Sequence, residues 1–366
     1  MDDEPFNFSI ELPDNFPLDD LLVIARRLAG ADLCVPGYIP PGAGLFDVGA
    51  FLYESQLERV ATTLLPDRNV TSRWTQIVSG RQSKWQEQHR LCAALIAFAQ
   101  CLDIQIEPSI SFHELAHSRQ NAAAHEELAW FRAADNFSPH TWMDIAFGRI
   151  DALHGPVQPM QTPNAPSVPL DQPLRRWRRN YIVAMKIAEL ELTDSAATQR
   201  VRRLFQWMVE DFSVSGSGAL LALIYFAPRS PPREGLFKSL RSANRERALE
   251  GVRNAAWDLT HVSDFVRRAL EHDYSQRVIF ATLDDGLRQV ARIGMGATEE
   301  IAEEDRLTCE FSPWWGEKDA RELVRMLLAM YDAARTPEWA AQVQSAEFIA
   351  RLTEDGEREI LDWLSP

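Results

Sequence analysis

The sequence predicts a helix-rich α/β chain built on a small parallel sheet, with a large helical insertion and a C-terminal helical extension. Three observations predict it. Apolar runs of strand length stand at residues 61–65, 104–107 and 277–282, with 307–311 as a further candidate; helical periodicity fills most of the remainder; and proline and glycine break the chain at only a few places. With 366 residues, 46% of them hydrophobic, there is material for one elaborate domain or two.

Taken in order, residues 1–60 carry an amphipathic helix near 18–28, a turn-rich stretch containing Pro36, Gly37, Pro40, Pro41 and Gly42, and a second helix. They are expected to form an N-terminal extension. Residues 61–134 together with 245–311 are expected to form a discontinuous core, and 135–244 a helical insertion. That insertion holds six prolines between His154 and Pro173, a composition suited to a long loop. Its later part reads as a bundle, with helices at 183–192, 201–212 and 220–226. Ser215-Gly216-Ser217-Gly218 reads as an inter-helix turn, or as a phosphate cradle. Pro313-Trp314-Trp315-Gly316 marks a break before the helices of 312–366, where Leu323, Met326, Leu327, Met330 and Tyr331 are spaced for docking onto the chain's own core or another protomer.

The chemistry concentrates where predicted strands end. The run at 61–65 leads into Asp67, and that at 277–282 into Asp284, each opening a helix. Beyond the carboxyl ends of parallel strands lies the crevice where α/β proteins bind ligands, and carboxylates there suit the hard cations Mg²⁺ or Mn²⁺. The plainer reading of each is a helix N-cap. Two further acids lie on helices: Glu114, after the strand at 104–107, and Asp258, between Trp257 and Leu259 and 26 positions before Asp284.

In chain order this set resembles the PIN-domain family of metal-dependent nucleases. Asp67-Arg68-Asn69 is similar to the family's Asp-x-Asn signature, and Thr282-Leu283-Asp284 to its late Thr-x-Asp. The resemblance covers residues 60–134 and 245–292 and implies a PIN-like fold with Mg²⁺ or Mn²⁺ held by Asp67, Glu114, Asp258 and Asp284. It makes Asn69 and Thr282 orienting groups and leaves Asp285 as an alternative to Asp284. The chain departs from compact members in the roughly 140 residues between Glu114 and Asp258. The implied activity is hydrolysis of phosphodiester bonds in RNA or single-stranded DNA, as in stress or phage-defence nucleases. A second class is a binding or scaffold protein on an inactive version of the same fold.

A rival lies in the same window. His113-Glu114-Leu115-Ala116-His117 matches the HExxH pattern, in which two histidines four apart on a helix bind Zn²⁺ and the glutamate activates water. Arg119 interrupts the expected apolar continuation, and only Glu126 or Glu127 suggests a third ligand. This reading leaves Asp67, Asp258 and Asp284 unexplained and ranks behind the nuclease; two ordinary helix histidines rank third.

The formal charge of −15 excludes a generally basic nucleic-acid coat, but its distribution is uneven. Between Gln172 and Asn254 stand fifteen Lys or Arg against eight Asp or Glu, a local +7 that leaves −22 for the rest. Arg175, Arg176, Arg178, Arg179, Arg245 and Arg253 are the candidates for phosphate contact, and Trp177 either stacks on a base or anchors its helix. The alternative is a solvated helix face of i,i+4 pairs. Cys34, Cys92, Cys101 and Cys309 lack CxxC spacing, which fits a reducing cytoplasm and no zinc knuckle or disulfide framework. The acidic Met1-Asp2-Asp3-Glu4 does not read as a signal peptide, and the longest apolar run, 219–227, is too short for a membrane span.

Overall fold

The strands predicted at 61–65 and 277–282 pair in parallel at the centre of a four-stranded sheet. In the computed structural model, described over residues 9–39, 43–81, 84–161, 169–230, 233, 235–271, 275–296, 301–336, 339 and 344–363, the strands are β1 (Cys34–Pro36), β2 (Ala61–Pro66), β3 (Gln105–Ile106) and β4 (Gln276–Ala281), in the order β1-β4-β2-β3. β2 runs parallel to β3 and β4, with Pro66 opposite Ala281. The sheet is mixed where an all-parallel one was expected, because β1 joins β4 antiparallel, Cys34 opposite Ala281.

β1 was not foreseen, being three residues long and ending on a proline. Its edge position explains why proline is tolerated. Helix α1 (Leu18–Ala31) ends on Asp32 in the left-handed conformation, φ 51°, and Leu33, Cys34 and Val35 are then buried against the sheet. Residues 1–60 therefore include a strand of the sheet itself.

The chain divides into two compact units, Met1–Val168 with Ala269–Leu283, and Pro169–Arg268 with Asp284–Pro366. The first holds the whole sheet with α1, α2 (Val48–Gln56), α3 (Arg68–Val78), α4 (Glu87–Cys101), α5 (Ser109–Asp135) and α6 (Pro139–Phe147). Its core includes Leu64, Leu65, Trp74, Phe98, Phe112, Val278 and Phe280, all at most 7% exposed; each such side chain contributes about 1.5–3 kcal/mol of transfer free energy. Helix α4 is almost wholly apolar and buried from Cys92 to Ala99, lying against α1, α3 and α6.

The second unit is helical among its described residues: α7 (Arg175–Leu192), α8 (Ala197–Glu210), α9 (Gly216–Phe226), most of α10 (Arg245–Glu271), α11 (Asp285–Met295), α12 (Glu303–Trp315), α13 (Glu317–Ala334) and α14 (Ala346–Leu361). Helix α9 is buried on all sides from Ser217 to Phe226, as an apolar core helix must be, and packs against α7, α8, α11 and α12. Gly218 in its first turn is required by close packing, since a Cβ there would stand 2.6 Å from Val183 Cγ1.

The division differs from the boundaries expected at 60, 134, 244 and 311, because α10 to α12 group with the insertion and the C-terminal helices. Residues 307–311 are helical and not a strand: Leu307, Phe311 and Trp315 are buried at intervals of four, which is one helix face. Gly316, φ 83°, ends α12 at the predicted break. The C-terminal helices dock within the chain, α13 on α12 and α8, and α14 on α7. Of the proline-rich stretch, residues 162–168 lie outside the described residues. Among the described residues no helix is long and apolar enough to cross a membrane.

Candidate carboxylate site at the ends of the parallel strands

Because β2 and β4 are adjacent and parallel, the residues following them emerge together. Pro66 pairs with Ala281, so Asp67 and Thr282 occupy the next register, and the Asp67 N–H donates to Ala281 O at 2.9 Å. Asp67 caps α3, as its local sequence predicts, by accepting from the Asn69 N–H. The same carboxylate accepts from Asn69 Nδ2 at 2.8 Å and from the Thr282 hydroxyl. Asn69 Oδ1 in turn accepts the Leu283 N–H at 2.9 Å. Asp67 is 4% exposed and Thr282 fully buried. The Asp-x-Asn and Thr-x-Asp elements, more than 210 positions apart in sequence, thus join in one hydrogen-bonded network. A carboxylate held by several donors is fixed in one orientation.

Glu114 sits half-buried on α5. Ser111, fully buried on that helix, donates its hydroxyl to Pro66 O at 2.9 Å. Residues three apart share a helix face, so Glu114 stands one turn beyond an anchor fixed to the peptide just before Asp67. Sequence reading missed Ser111, because a serine in a helical run gives no sign of which distant carbonyl it will meet.

The other two predicted acids belong to the second unit. Asp258 is half-buried on α10, between buried Trp257 and Leu259. Asp284 caps α11, its Oδ1 accepting from the Leu287 N–H at 3.0 Å. Asp285 is exposed and paired with Arg288. Among the described residues, no group of three or more His, Cys, Asp or Glu side chains is arranged to hold a metal ion. The donor chemistry at Asp67 and Glu114 still suits Mg²⁺, which keeps most of its waters and needs only one or two carboxylates.

The HExxH pair His113 and His117 lies in the first part of α5, before a break at Arg119 and Gln120, where Gln120 has φ 72°. Both suggested third ligands are engaged elsewhere. Glu126 pairs with Arg81, and buried Glu127 pairs with Arg68 at 2.8 Å and accepts from Thr75 Oγ1 at 3.0 Å.

The candidate arginines separate by environment. Arg175 and Arg178 are exposed on the first turns of α7, and burial together with the neighbouring Arg175 holds the half-buried Arg179 below the usual arginine pKa. Arg176 donates to Ser263 O at 2.9 Å and pairs with Asp264 at 3.4 Å. Arg245 donates to the carbonyls of Leu240, Ser242 and Ile360 and stacks on Trp363, and Arg253 pairs with Glu357 at 3.0 Å. Arg245 and Arg253 therefore serve internal packing. Trp177 is an anchor and not a base platform: it is 5% exposed and stacks on Tyr181 at 4.9 Å, with Trp257 at 5.4 Å. The Ser215–Gly218 turn is a helix cap, Ser215 Oγ accepting from the Gly218 N–H at 3.2 Å.

A cavity of about 610 Å³ opens elsewhere in the first unit, between α1 and the turn entering α2, with Leu22, Arg26, Cys34 and Phe46 among its walls. None of the predicted acids lines it. No protein-family model matches the chain, and neither the curated proteins nor the solved structures yield a match.

Proposed function

We propose that the protein is a divalent-metal-dependent nuclease, with Asp67 as the central ligand for Mg²⁺ or Mn²⁺ and Glu114 as a second. Asp258 and Asp284 are assigned to the same chemistry by the order of acids along the chain. The observation that carries the reading is the Asp67–Asn69–Thr282 network at the carboxyl ends of β2 and β4. Asn69 and Thr282 hold the carboxylate in one orientation, and Ser111 fixes the helix bearing Glu114 to the same strand end. A bound metal would supply activation of water and stabilisation of the leaving oxygen. Arg175, Arg178 and Arg179 are the surface cations suited to the backbone of RNA or single-stranded DNA. The test is cleavage of labelled single-stranded RNA, single-stranded DNA and duplex DNA in Mn²⁺, Mg²⁺, Zn²⁺ or EDTA. Metal-dependent cleavage that disappears in Asp67→Asn and Glu114→Gln is expected; cleavage surviving both substitutions would reject the assignment.

A second reading is a nucleic-acid-binding protein without turnover. The exposed Arg175 and Arg178 on the first turns of α7 support it without requiring turnover. Metal and RNA binding without cleavage under every condition would identify it.

A further inference from the structure

A second carboxylate in the molecule is organised in the opposite way to Asp67. Glu191, near the end of α7, is 2% exposed and carries three guanidiniums. Its Oε2 pairs with Arg200; its Oε1 pairs with Arg233 at 2.6 Å and with Arg241 at 3.2 Å. Arg241 also donates to the Glu191 carbonyl at 3.0 Å. One negative charge thus meets three positive ones, leaving two in excess. The aromatic rings of α9 support the fan, with Arg233 over Tyr225 at 5.4 Å and Arg200 over Phe226 at 6.0 Å.

The excess charge is accessible. The side chains of Arg233 and Arg241 are 36% and 57% exposed, against 15% for Arg200 behind them. Each uses only Nη2 in its bonds, so Nε and Nη1 of both have no partner among the described residues. The Ser230 hydroxyl, on a residue 8% exposed, likewise has no partner, and its carbonyl accepts the Arg233 N–H at 3.4 Å. The Nε of Arg200 is a further buried donor without one. Two forked cations held on a shared oxygen, each with nitrogens to spare, match the charge and the several acceptor oxygens of a phosphate group.

We propose that Arg233 and Arg241, positioned by Glu191 and Arg200, form a binding site for a phosphomonoester. A phosphomonoester carries about −1.5 to −2 at neutral pH, which balances the excess, whereas an internal phosphodiester carries one charge. The group has two sources, a free nucleotide or the terminal phosphate of a strand. The proposal is carried by Glu191 and its arginines and does not rest on the nuclease reading.

The test is isothermal titration of the full chain in EDTA, which keeps metal-dependent cleavage out of the readout. The ligands are inorganic phosphate, adenosine monophosphate, and a short oligonucleotide bearing either a 5′-phosphate or a 5′-hydroxyl. Saturable binding of the phosphomonoesters is expected, with the 5′-hydroxyl strand at least ~10-fold weaker and a comparable loss in Arg233→Gln and Arg241→Gln, as for removal of a charge-assisted bond. A 5′-phosphorylated strand binding more tightly than the mononucleotide identifies a strand end as the source; equal affinities identify free nucleotide. Arg241→Lys, which keeps the charge and removes the fork, is expected to fall between wild type and Arg241→Gln, and its circular dichroism and that of the other variants should match wild type. Equal affinity for the two strand ends, or unchanged binding in folded Arg233→Gln and Arg241→Gln, would overturn the proposal.

Discussion

Asp67 and Glu191 are both buried carboxylates, yet Asp67 joins a network of amide, carboxamide and hydroxyl groups whereas Glu191 gathers three guanidiniums. Asp67 accepts from an amide N–H, a carboxamide and a hydroxyl, neutral donors that fix the orientation of its oxygens. Glu191 is overbalanced by three arginines, so its own charge is spent and the surplus is positive. Desolvation is met in both cases by hydrogen bonds, but around Glu191 the partners are cations and the surplus charge is positive. What a buried acid offers a ligand is therefore decided by the charge of its partners, and not by the acid.

The largest expected effect comes from breaking the second arrangement. Glu191→Ala leaves three guanidiniums facing one another without a counter-charge, and should cost about 3–5 kcal/mol of stability by chemical denaturation; a loss under 1 kcal/mol would mean the arginines are already solvated. Removing one donor from the first arrangement costs less. Thr282→Val leaves Asp67 short of a buried hydroxyl and should lose about 1–3 kcal/mol, while Thr282→Ser should stay near wild type. On the nuclease reading, Thr282→Val also lowers metal affinity by about 10-fold through the misaimed carboxylate. That loss distinguishes an orienting role from a purely structural one.

A third carboxylate sharpens the comparison through pH. Burial opposes ionisation of Asp264, but the hydrogen bond from Arg267 and the charges of Arg268 and Arg176 outweigh it and hold its pKa below the usual value. A depressed carboxyl pKa adds stability above the unfolded value and loses it as pH falls through the folded one. The stability gap between wild type and Asp264→Asn should therefore be widest near neutrality and close below about pH 4. His89 gives a smaller effect in a nearby window. Its Nδ1 accepts the Gln86 N–H at 3.2 Å, which assigns the ring proton to Nε2, 3.1 Å from Gln76 Oε1. Burial, with Arg73 nearby, lowers its pKa, so the stability it supplies is present above about pH 6.5 and declines as acid forces the cap open. His89→Gln should flatten that part of the stability profile. The smallest effect is a thiol titration: burial pushes Cys92 up to about 12 and Cys101 up to about 11, whereas Cys309 is exposed. Native protein should label first at Cys309 and leave Cys92 unreacted until unfolded.

Much of this was legible in the residues. Strands β2 and β4 are apolar runs bounded by caps, and Asp67, Asn69 and Thr282 stand where their local sequence puts them. β1 was missed because three residues carry no period, and 307–311 was misread because a short apolar run fits strand and helix alike. The arginines show the same limit. Exposed Arg175 and buried-donor Arg245 are indistinguishable as letters, and only their surroundings separate a surface cation from a packing strut.

By itself, then, the sequence determined the local events: where helices begin, where strands end, and which acids lie at those junctions, because caps and periodicity act over a few residues. Tertiary structure alone decided which of those residues meet. Thr282 reaches Asp67 through the parallel register of β2 and β4, Ser111 meets Pro66 through the packing of α5, and three arginines converge on Glu191 from separate segments. Such contacts are selected by the closing of the core, whose free energy belongs to the whole fold and to no single stretch of chain.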